Sequence, residues 1–201
     1  TAKGVKAFGS APQCSLMAIR TPNQLGLADE GKMFEWAADH KADIISCSWG
    51  PADGTGSRDP LPSATALAIR YCIEKGRDRK GIPIFWAAGN GNESVSLDGY
   101  ASNPDVIAVA ASTSRETKAY YSDFGPEIWV CAPSNGQPNQ GDKAIFTTDR
   151  TGGAGYNTGG AAARGDAAGD YFNGFGGTSS ATPLVAGIAG LMLSVNPNLT
   201  A

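Results

Sequence analysis

The chain has 201 residues and a formal net charge of −3, and 41% of its residues are hydrophobic. These values predict one globular domain rather than a disordered or fibrous chain. The slight acidic excess does not favour a nucleic-acid or anionic-membrane partner. No apolar run in the sequence reaches the length of a membrane span, which is about 20 residues.

Apolar runs and helical periodicities alternate along the first two-thirds of the chain. In chain order they predict a strand at 15–19, a helix at 30–40, a strand at 43–48, a helix at 63–75, and strands at 82–87, 106–111 and 128–132. The strands are largely continuous apolar runs, and helices separate the early ones. This pattern is typical of a parallel sheet covered on both faces, so we expect an α/β fold with three α/β/α layers.

The last predicted element is a helix that begins near Thr178 and ends near Val195. No charged residue occurs between Ser180 and Val195, and the helix is apolar on every side, which predicts a central, buried helix. Ser179 lies at the helix start, where backbone N–H groups lack partners and the helix dipole is positive. A hydroxyl there is either an N-cap or a nucleophile, and the spacing alone leaves both roles open.

Two further features of the sequence, the tract 147–177 and the cysteines, are not assigned a role in catalysis. The tract 147–177 is rich in glycine and has no pattern, so we expect a surface insertion or a mobile loop. The four cysteines show no metal-type C-x-x-C spacing. Because Cys47, Cys72 and Cys131 lie in apolar runs, we expect three buried free thiols rather than a disulfide framework.

The motif Gly-Thr-Ser-Ser-Ala-Thr-Pro at 177–183 resembles the nucleophile motif Gly-Thr-Ser-x-Ala-x-Pro of the subtilisin-like serine proteases, or subtilases. Two loops that follow predicted strands extend the resemblance. Ala-Ala-Gly-Asn at 87–90 resembles the oxyanion segment, and Ser-Trp-Gly at 48–50 resembles the substrate-binding edge. The resemblance implies that Ser179 is the nucleophile and that Asn90, with the Ser179 N–H, binds the oxyanion. It assigns five residues to substrate binding: Ser48, Trp49, Gly50, Ala88 and Gly89.

Within the subtilases, the chain resembles the kexin and furin branch and its bacterial relatives. Three segments carry this resemblance: Cys47–Asp53, Glu74–Asp78 and Asp98–Tyr100. It implies that Asp53 and Asp98 line a pocket that prefers Arg or Lys before the cut. It also implies that Asp53, Glu93 and Asp123 hold a calcium ion, which hard carboxylate ligands suit. The alternative is that these acids are solvated loop residues.

The base that a serine nucleophile needs is absent from the sequence. The only histidine, His40, lies near the end of a predicted helix, where we expect a surface residue rather than a catalytic base. The family's Asp-Thr/Ser-Gly and His-Gly-Thr motifs do not occur. The resemblance therefore implies that residues 1–201 are the C-terminal part of one catalytic domain, which is incomplete and inactive without an N-terminal fragment that carries Asp and His.

The resemblance leaves three activities open. The complete protein could be a serine endopeptidase that hydrolyses polypeptides. The alternatives are a pseudoprotease that binds peptides without cleaving them and a subtilase that transfers the acyl group to an amine.

Overall fold

A computed structural model describes residues 9–21, 26–160 and 164–201. Its helices and strands are α1 (Leu27–Asp39), β1 (Ile45–Cys47), α2 (Ser63–Arg79), β2 (Ile84–Ala87), β3 (Ile107–Ser112), β4 (Ile128–Pro133), β5 (Ile145–Thr148), β6 (Tyr171–Phe175) and α3 (Thr178–Val195). Short 3₁₀ turns lie at Val95–Leu97, Pro138–Gln140 and Gly152–Ala154.

The main sheet is parallel, with the strand order β1-β2-β3-β4. Ile45 of β1 pairs with Ile84 of β2, and Phe85 of β2 pairs with Ile107 of β3. All four residues of β2 are buried, which explains why this strand is a continuous apolar run. Because the strands run in the same direction, the loops that follow them meet at one edge of the sheet.

Helices cover both faces of this sheet. On one face, Phe34 of α1 and Ile69 of α2 belong to the same apolar cluster as Trp86 of β2. On the other face, Ala181 of α3 joins Phe85 of β2 in a second cluster. Successive strand residues point to opposite faces, so α1 and α2 form one layer and α3 forms the other. The predicted three-layer α/β/α fold is confirmed.

The predicted strand at 15–19 is wrong. These residues form no strand and are exposed, Leu16 by 96% and Met17 by 43%. A strand needs a hydrogen-bonding neighbour, and the described residues supply none for this segment. The predicted end of α2 near Lys75 agrees with the backbone, because Gly76 leaves the helical conformation with ψ at 154°.

The glycine-rich tract 147–177 is more ordered than we expected. β5 and β6 form an antiparallel pair, with Thr148 opposite Tyr171. Asn157, which is fully buried, organises the connection between them. Its Nδ2 donates to the carbonyls of Asp166 and Tyr171, at 2.8 and 2.7 Å. The sequence carries no periodic signal for this pair, because side-chain-to-backbone bonds of Asn157 hold the connection between its strands.

Helix α3 is buried over its first turns and exposed beyond them, so in residues 1–201 the predicted burial holds only for its N-terminal part. Ala181 and Thr182 are fully buried, whereas Ile188 is 54%, Met192 55% and Val195 87% exposed. By length and composition alone, α3 would also pass as a membrane span, a test that the core helices of globular proteins pass too. Its N-terminal half nevertheless packs against the sheet, where Ala181 and Ala186 belong to the same apolar cluster as Phe85.

The cysteines correct a second expectation. All four are free, and Cys47 and Cys72 are buried as predicted, but Cys131 is exposed, like Cys14. Burial raises the pKa of the Cys72 thiol to about 12 and raises that of Cys47 further. Cys131 lies on β4, where alternate residues point outward, so an apolar run did not guarantee its burial.

Candidate active site

Ser179 lies in the first turn of α3, just after the β6 strand. Gly176 and Gly177 turn the chain into the helix, and Gly177 has a φ of 75°, a conformation that glycine adopts readily. Ser179 is half-buried. Its hydroxyl makes no hydrogen bond with the described part of the chain. The helix therefore presents an unengaged hydroxyl at its positive end.

Polar residues after β4 fix the turn before Ser179. The Ser134 hydroxyl donates to the Gly177 carbonyl at 2.7 Å, and Asn135 Oδ1 accepts from the Gly177 N–H at 2.9 Å. A Cβ at Gly176 would collide with the Asn135 side chain. The position of Ser179 is thus set by a second loop at the same edge of the sheet.

The orientation of the Asn90 side chain follows from one hydrogen bond. Its Oδ1 accepts from the Thr178 N–H at 2.8 Å and from the Thr178 hydroxyl at 3.2 Å. A backbone N–H can only donate, so the amide oxygen faces α3 and the NH₂ group faces away. Within the described ranges, neither Asn90 Nδ2 nor the Ser179 N–H has an acceptor. Two unpaired donors, Asn90 Nδ2 and the Ser179 N–H, therefore lie close to the start of α3.

Asn90 and Ser179 line one cleft of about 220 Å³. The other lining residues come from the loops after β1 and β2 and from the start of α3: Ser48, Trp49, Gly50, Pro51, Asp53, Ala87, Gly89, Asp98 and Thr178. The Ser48 hydroxyl donates to the Ser179 carbonyl at 3.0 Å and so joins the loop after β1 to the start of α3. Ala88, by contrast, is fully buried in the core, and its neighbours Ala87 and Gly89 line the cleft instead.

The segment 48–50 forms an extended rim. Trp86 Nε1 donates to the Trp49 carbonyl at 2.7 Å, and the two rings meet edge-on at 4.7 Å between centroids. The Ser48 carbonyl and the Gly50 N–H have no partners among the residues that the structure describes. Such unpaired groups are able to bind an extended peptide as an added strand.

Asp98 is a buried acid at the wall of this cleft. It is 6% exposed, and its Oδ1 accepts the N–H groups of Tyr100 and Ala101 at 2.7 and 3.2 Å. The pKa of Asp98 is raised to about 6, mainly by burial and to a smaller extent by the negative charges of Asp53 and Asp123. A Cβ at Gly50 would lie 3.2 Å from Asp98 Oδ2, so the rim glycine leaves that oxygen accessible.

Asp53, Glu93 and Asp123 converge beside the cleft. One carboxylate oxygen from each lies within 4.8 Å of the other two. The backbone N–H groups of Gly54 and Gly56 donate to the two Glu93 oxygens at 2.7 and 2.8 Å. Burial raises the pKa of Asp123, and the nearby charges of Asp53 and Glu93 act in the same direction. Across the described ranges, no Lys or Arg forms an ion pair with these carboxylates.

The cluster has the chemistry and the space for a hard cation. Its ligands are carboxylate oxygens without His or Cys, a set that suits calcium. Gly89, with φ at 111°, lies against it. A Cβ at Gly89 would contact Asp123 Oδ2 and come within 2.8 Å of Asp53 Oδ1. The glycine therefore keeps a space between the carboxylates that any side chain would fill.

Comparison with known proteins identifies the family of this fold and site. The family model described as the Subtilase family matches residues 1–201. The chain belongs to the subtilase family. The predicted likeness to the kexin and furin branch and its bacterial relatives is also confirmed by the relatives below.

A calcium-dependent protease from Trichormus variabilis is 54% identical to this subtilase over 203 residues, which cover 96% of this chain and 30% of that protein. Protease KEX1 from Kluyveromyces lactis is 33% identical over 180 residues, which cover 88% and 21%. The chain thus spans less than a third of these relatives. An Aeromonas sobria serine protease, solved with its chaperone, shares the fold with a TM-score of 0.71 and 21% identity over 86% of this chain and 34% of that one.

His40 is not part of the cleft of this subtilase. It caps the C-terminus of α1, where its Nδ1 lies 2.8 Å from the Trp36 carbonyl and its ring stacks on Trp36. It is exposed, as predicted. Among the described residues, the cleft therefore holds a serine hydroxyl but no imidazole.

Sequence reasoning missed the residues that brace the subtilase site. Ser134 and Asn135 hold the turn before Ser179. Thr178 lies within the predicted motif, but its hydrogen bond to the Asn90 amide was not predicted. Ser134 and Asn135 follow β4 directly, so the loops at the carboxyl edge of the sheet would have pointed to them. No sequence signal pointed to Lys118, which contacts the loops that carry Glu93 and Asp123.

Proposed function

We propose that this chain supplies the nucleophile, the oxyanion donors and the substrate cleft of a serine endopeptidase. The observation that carries the proposal is the Thr178–Asn90 hydrogen bond. It turns the Asn90 NH₂ group away from α3, while the Ser179 N–H is also left without an acceptor among the described residues. An oxyanion site needs two such donors, fixed before the reaction begins.

In the proposed reaction, Ser179 Oγ attacks the carbonyl carbon of the scissile bond. An imidazole takes the hydroxyl proton and later passes it to the leaving amine. The negative charge that develops on the carbonyl oxygen is bound by Asn90 Nδ2 and the Ser179 N–H, at the positive end of α3. Water then hydrolyses the acyl-enzyme and restores the serine.

The imidazole must come from outside residues 1–201, because His40 lies at the C-terminus of α1, bound to Trp36, and not in the cleft. We infer that an N-terminal fragment of the same protease supplies the His and the Asp that orients it. The exposed apolar side chains of α3, among them Ile188, Leu191 and Met192, are consistent with a second polypeptide packed there. A stable, soluble monomer of the 201-residue chain alone would argue against this inference.

We further propose that the cleft prefers Arg or Lys before the scissile bond. Asp98 and Asp53 both line it, and Asp98 Oδ2 makes no hydrogen bond within the described part of the chain. An ionised Asp98 offers this oxygen to a cationic side chain in a mostly desolvated position, where charge-assisted hydrogen bonds are strong. The rim groups of Ser48 and Gly50 would bind the substrate backbone.

We propose that Asp53, Glu93 and Asp123 hold a calcium ion. The fit rests on three convergent carboxylates, the absence of a competing ion pair among the described residues, and the space that Gly89 preserves. A relative that is 54% identical is named a calcium-dependent protease. A bound calcium would offset the mutual repulsion of the acids. Asp53 would then join the cluster to the wall of the cleft.

The proposal is tested by labelling the protein, isolated in its native assembly, with a serine-directed fluorophosphonate. Labelling of Ser179 that is lost in Ser179→Ala requires an activated hydroxyl, and the absence of labelling would support the pseudoprotease alternative. The masses of products from a model peptide separate hydrolysis from acyl transfer. Cleavage after Arg that stops when EGTA removes calcium and resumes on its return is expected for the calcium site.

A further inference from the structure

Lys118 makes an unusual set of contacts for an exposed lysine. Its ammonium donates to Asn92 Oδ1 at 2.8 Å, to the Ser122 carbonyl at 2.8 Å and to the Ala119 carbonyl at 3.2 Å. It also lies 5.4 Å from the centre of the Phe124 ring. An ammonium has three N–H donors, so each donor has an oxygen to bind.

Two of these acceptors immediately precede ligands of the carboxylate cluster. Asn92 precedes Glu93, and Ser122 precedes Asp123. The two loops are already joined there, because the Glu93 N–H donates to Asp123 Oδ1 at 3.0 Å and the Asn92 N–H donates to the Tyr121 carbonyl at 2.8 Å. Lys118 adds a third connection from outside the cluster.

The backbone conformation of Asn92 indicates what the contact with Lys118 does. Asn92 has a φ of 52°, in the left-handed region that asparagine tolerates better than most residues. Its side-chain oxygen is held by Lys118. This contact favours the turn that places the next residue, Glu93, opposite Asp123.

We propose that Lys118 is a positioning residue of the calcium site, one that fixes the spacing between Glu93 and Asp123 before the cation binds. This inference rests on the proposed calcium site. Groups outside the ligand shell commonly control metal affinity in this way, because they hold the ligands in place.

The charge of Lys118 would act in the opposite direction, since an ammonium repels calcium. Its Nζ forms no ion pair with Asp53, Glu93 or Asp123, and it is bound to neutral oxygens on an exposed side chain, where salt screens its field. We therefore expect the positioning effect to exceed the repulsion. The two effects predict changes of opposite sign, so an experiment separates them.

The test compares Lys118→Met with the wild type in the protein as it is naturally assembled, with calcium ion as the probe. Methionine keeps the apolar stem and removes the three donors. Isothermal titration is expected to show calcium binding to this site weakened by about tenfold. Asp123→Asn identifies the heat that belongs to the site, Lys118→Arg is expected to lie nearer the wild type, and Lys75→Met on the exposed side of α2 serves as the control.

Thermal unfolding separates positioning from general stabilisation. If Lys118 acts through the site, Lys118→Met reduces the rise in Tm that calcium produces. A purely structural lysine would lower Tm equally with and without calcium, and that result would overturn the inference. Equal or tighter calcium binding by Lys118→Met would overturn it as well. A wild-type protein without the Asp123-dependent binding would instead refute the calcium site itself.

Discussion

Replacing Asn90 with alanine tests the central geometry. The side chain has two separable functions, because its Oδ1 accepts the Thr178 N–H at 2.8 Å and its Nδ2 is the proposed oxyanion donor. Loss of one such donor typically lowers kcat by about 10²–10³-fold, which is about 2.7–4 kcal/mol of transition-state stabilisation. Because the charge develops only in the transition state, KM should change little.

The same substitution has a second effect, on stability. It removes the acceptor of the Thr178 N–H at the start of α3, and an unpaired helix-end donor costs about 1 kcal/mol. For a domain of this size, that corresponds to a fall in Tm of about 2–4 °C. A loss of activity through unfolding would require a much larger fall.

Asn90→Asp is the matched control. A carboxylate keeps an oxygen for the Thr178 N–H but places a second oxygen where the donor was. Asn90→Asp should therefore keep the wild-type Tm more closely than Asn90→Ala, while its kcat falls at least as far. The assay measures kcat and KM on a chromogenic peptide with Arg before the scissile bond, with active sites counted by fluorophosphonate labelling.

Asn90 is not an oxyanion donor if Asn90→Ala keeps kcat within tenfold of the wild type while it remains folded. The oxyanion role is also excluded if the whole loss of kcat/KM appears in KM, because the Asn90 amide would then bind the substrate in the ground state as strongly as in the transition state.

Asp98, Gly89 and Asn157 each support a further prediction, and Asp98 supports two. The pKa of Asp98 is raised to about 6, so the ratio of kcat/KM for Arg over citrulline substrates should fall as pH drops from 8 to 5. Because this folded-state pKa lies above the unfolded value, ionised Asp98 opposes folding above pH 6, and Asp98→Asn should not lower Tm at pH 8. Gly89→Ala should abolish the titrated calcium binding, since its Cβ would contact Asp123. Asn157→Ala should speed limited trypsin cleavage between β5 and β6, detected by mass spectrometry.

Each of these predictions has a result that contradicts it. A selectivity ratio that is flat with pH in the wild type would remove Asp98 from the specificity pocket. Unchanged calcium affinity in Gly89→Ala would mean that the ion lies elsewhere. Unaltered trypsin cleavage of Asn157→Ala would mean that the hairpin does not depend on that amide.

The sequence by itself determined the layered fold and several residues of the candidate site. Continuous apolar runs predicted the buried parallel strands, and helical spacing predicted α1, α2 and α3, because both signals are local. Short motifs at 177–183 and 87–90 singled out Ser179 and Asn90, and the resemblance they carry also pointed to three acids, Asp53, Glu93 and Asp123. These residues are far apart in the chain, and the structure brings the acids within one cluster.

Only the tertiary structure decided how these groups are held. It fixed which end of the Asn90 amide faces α3 and buried Asp98 enough to raise its pKa. It also brought Lys118 to Asn92, 26 residues away. The segment 15–19 has strand-like residues but no described neighbour to pair with, and the connection between β5 and β6 is held by the buried Asn157 amide, which leaves no periodic signal. Contacts between distant residues depend on packing, which a local pattern does not encode.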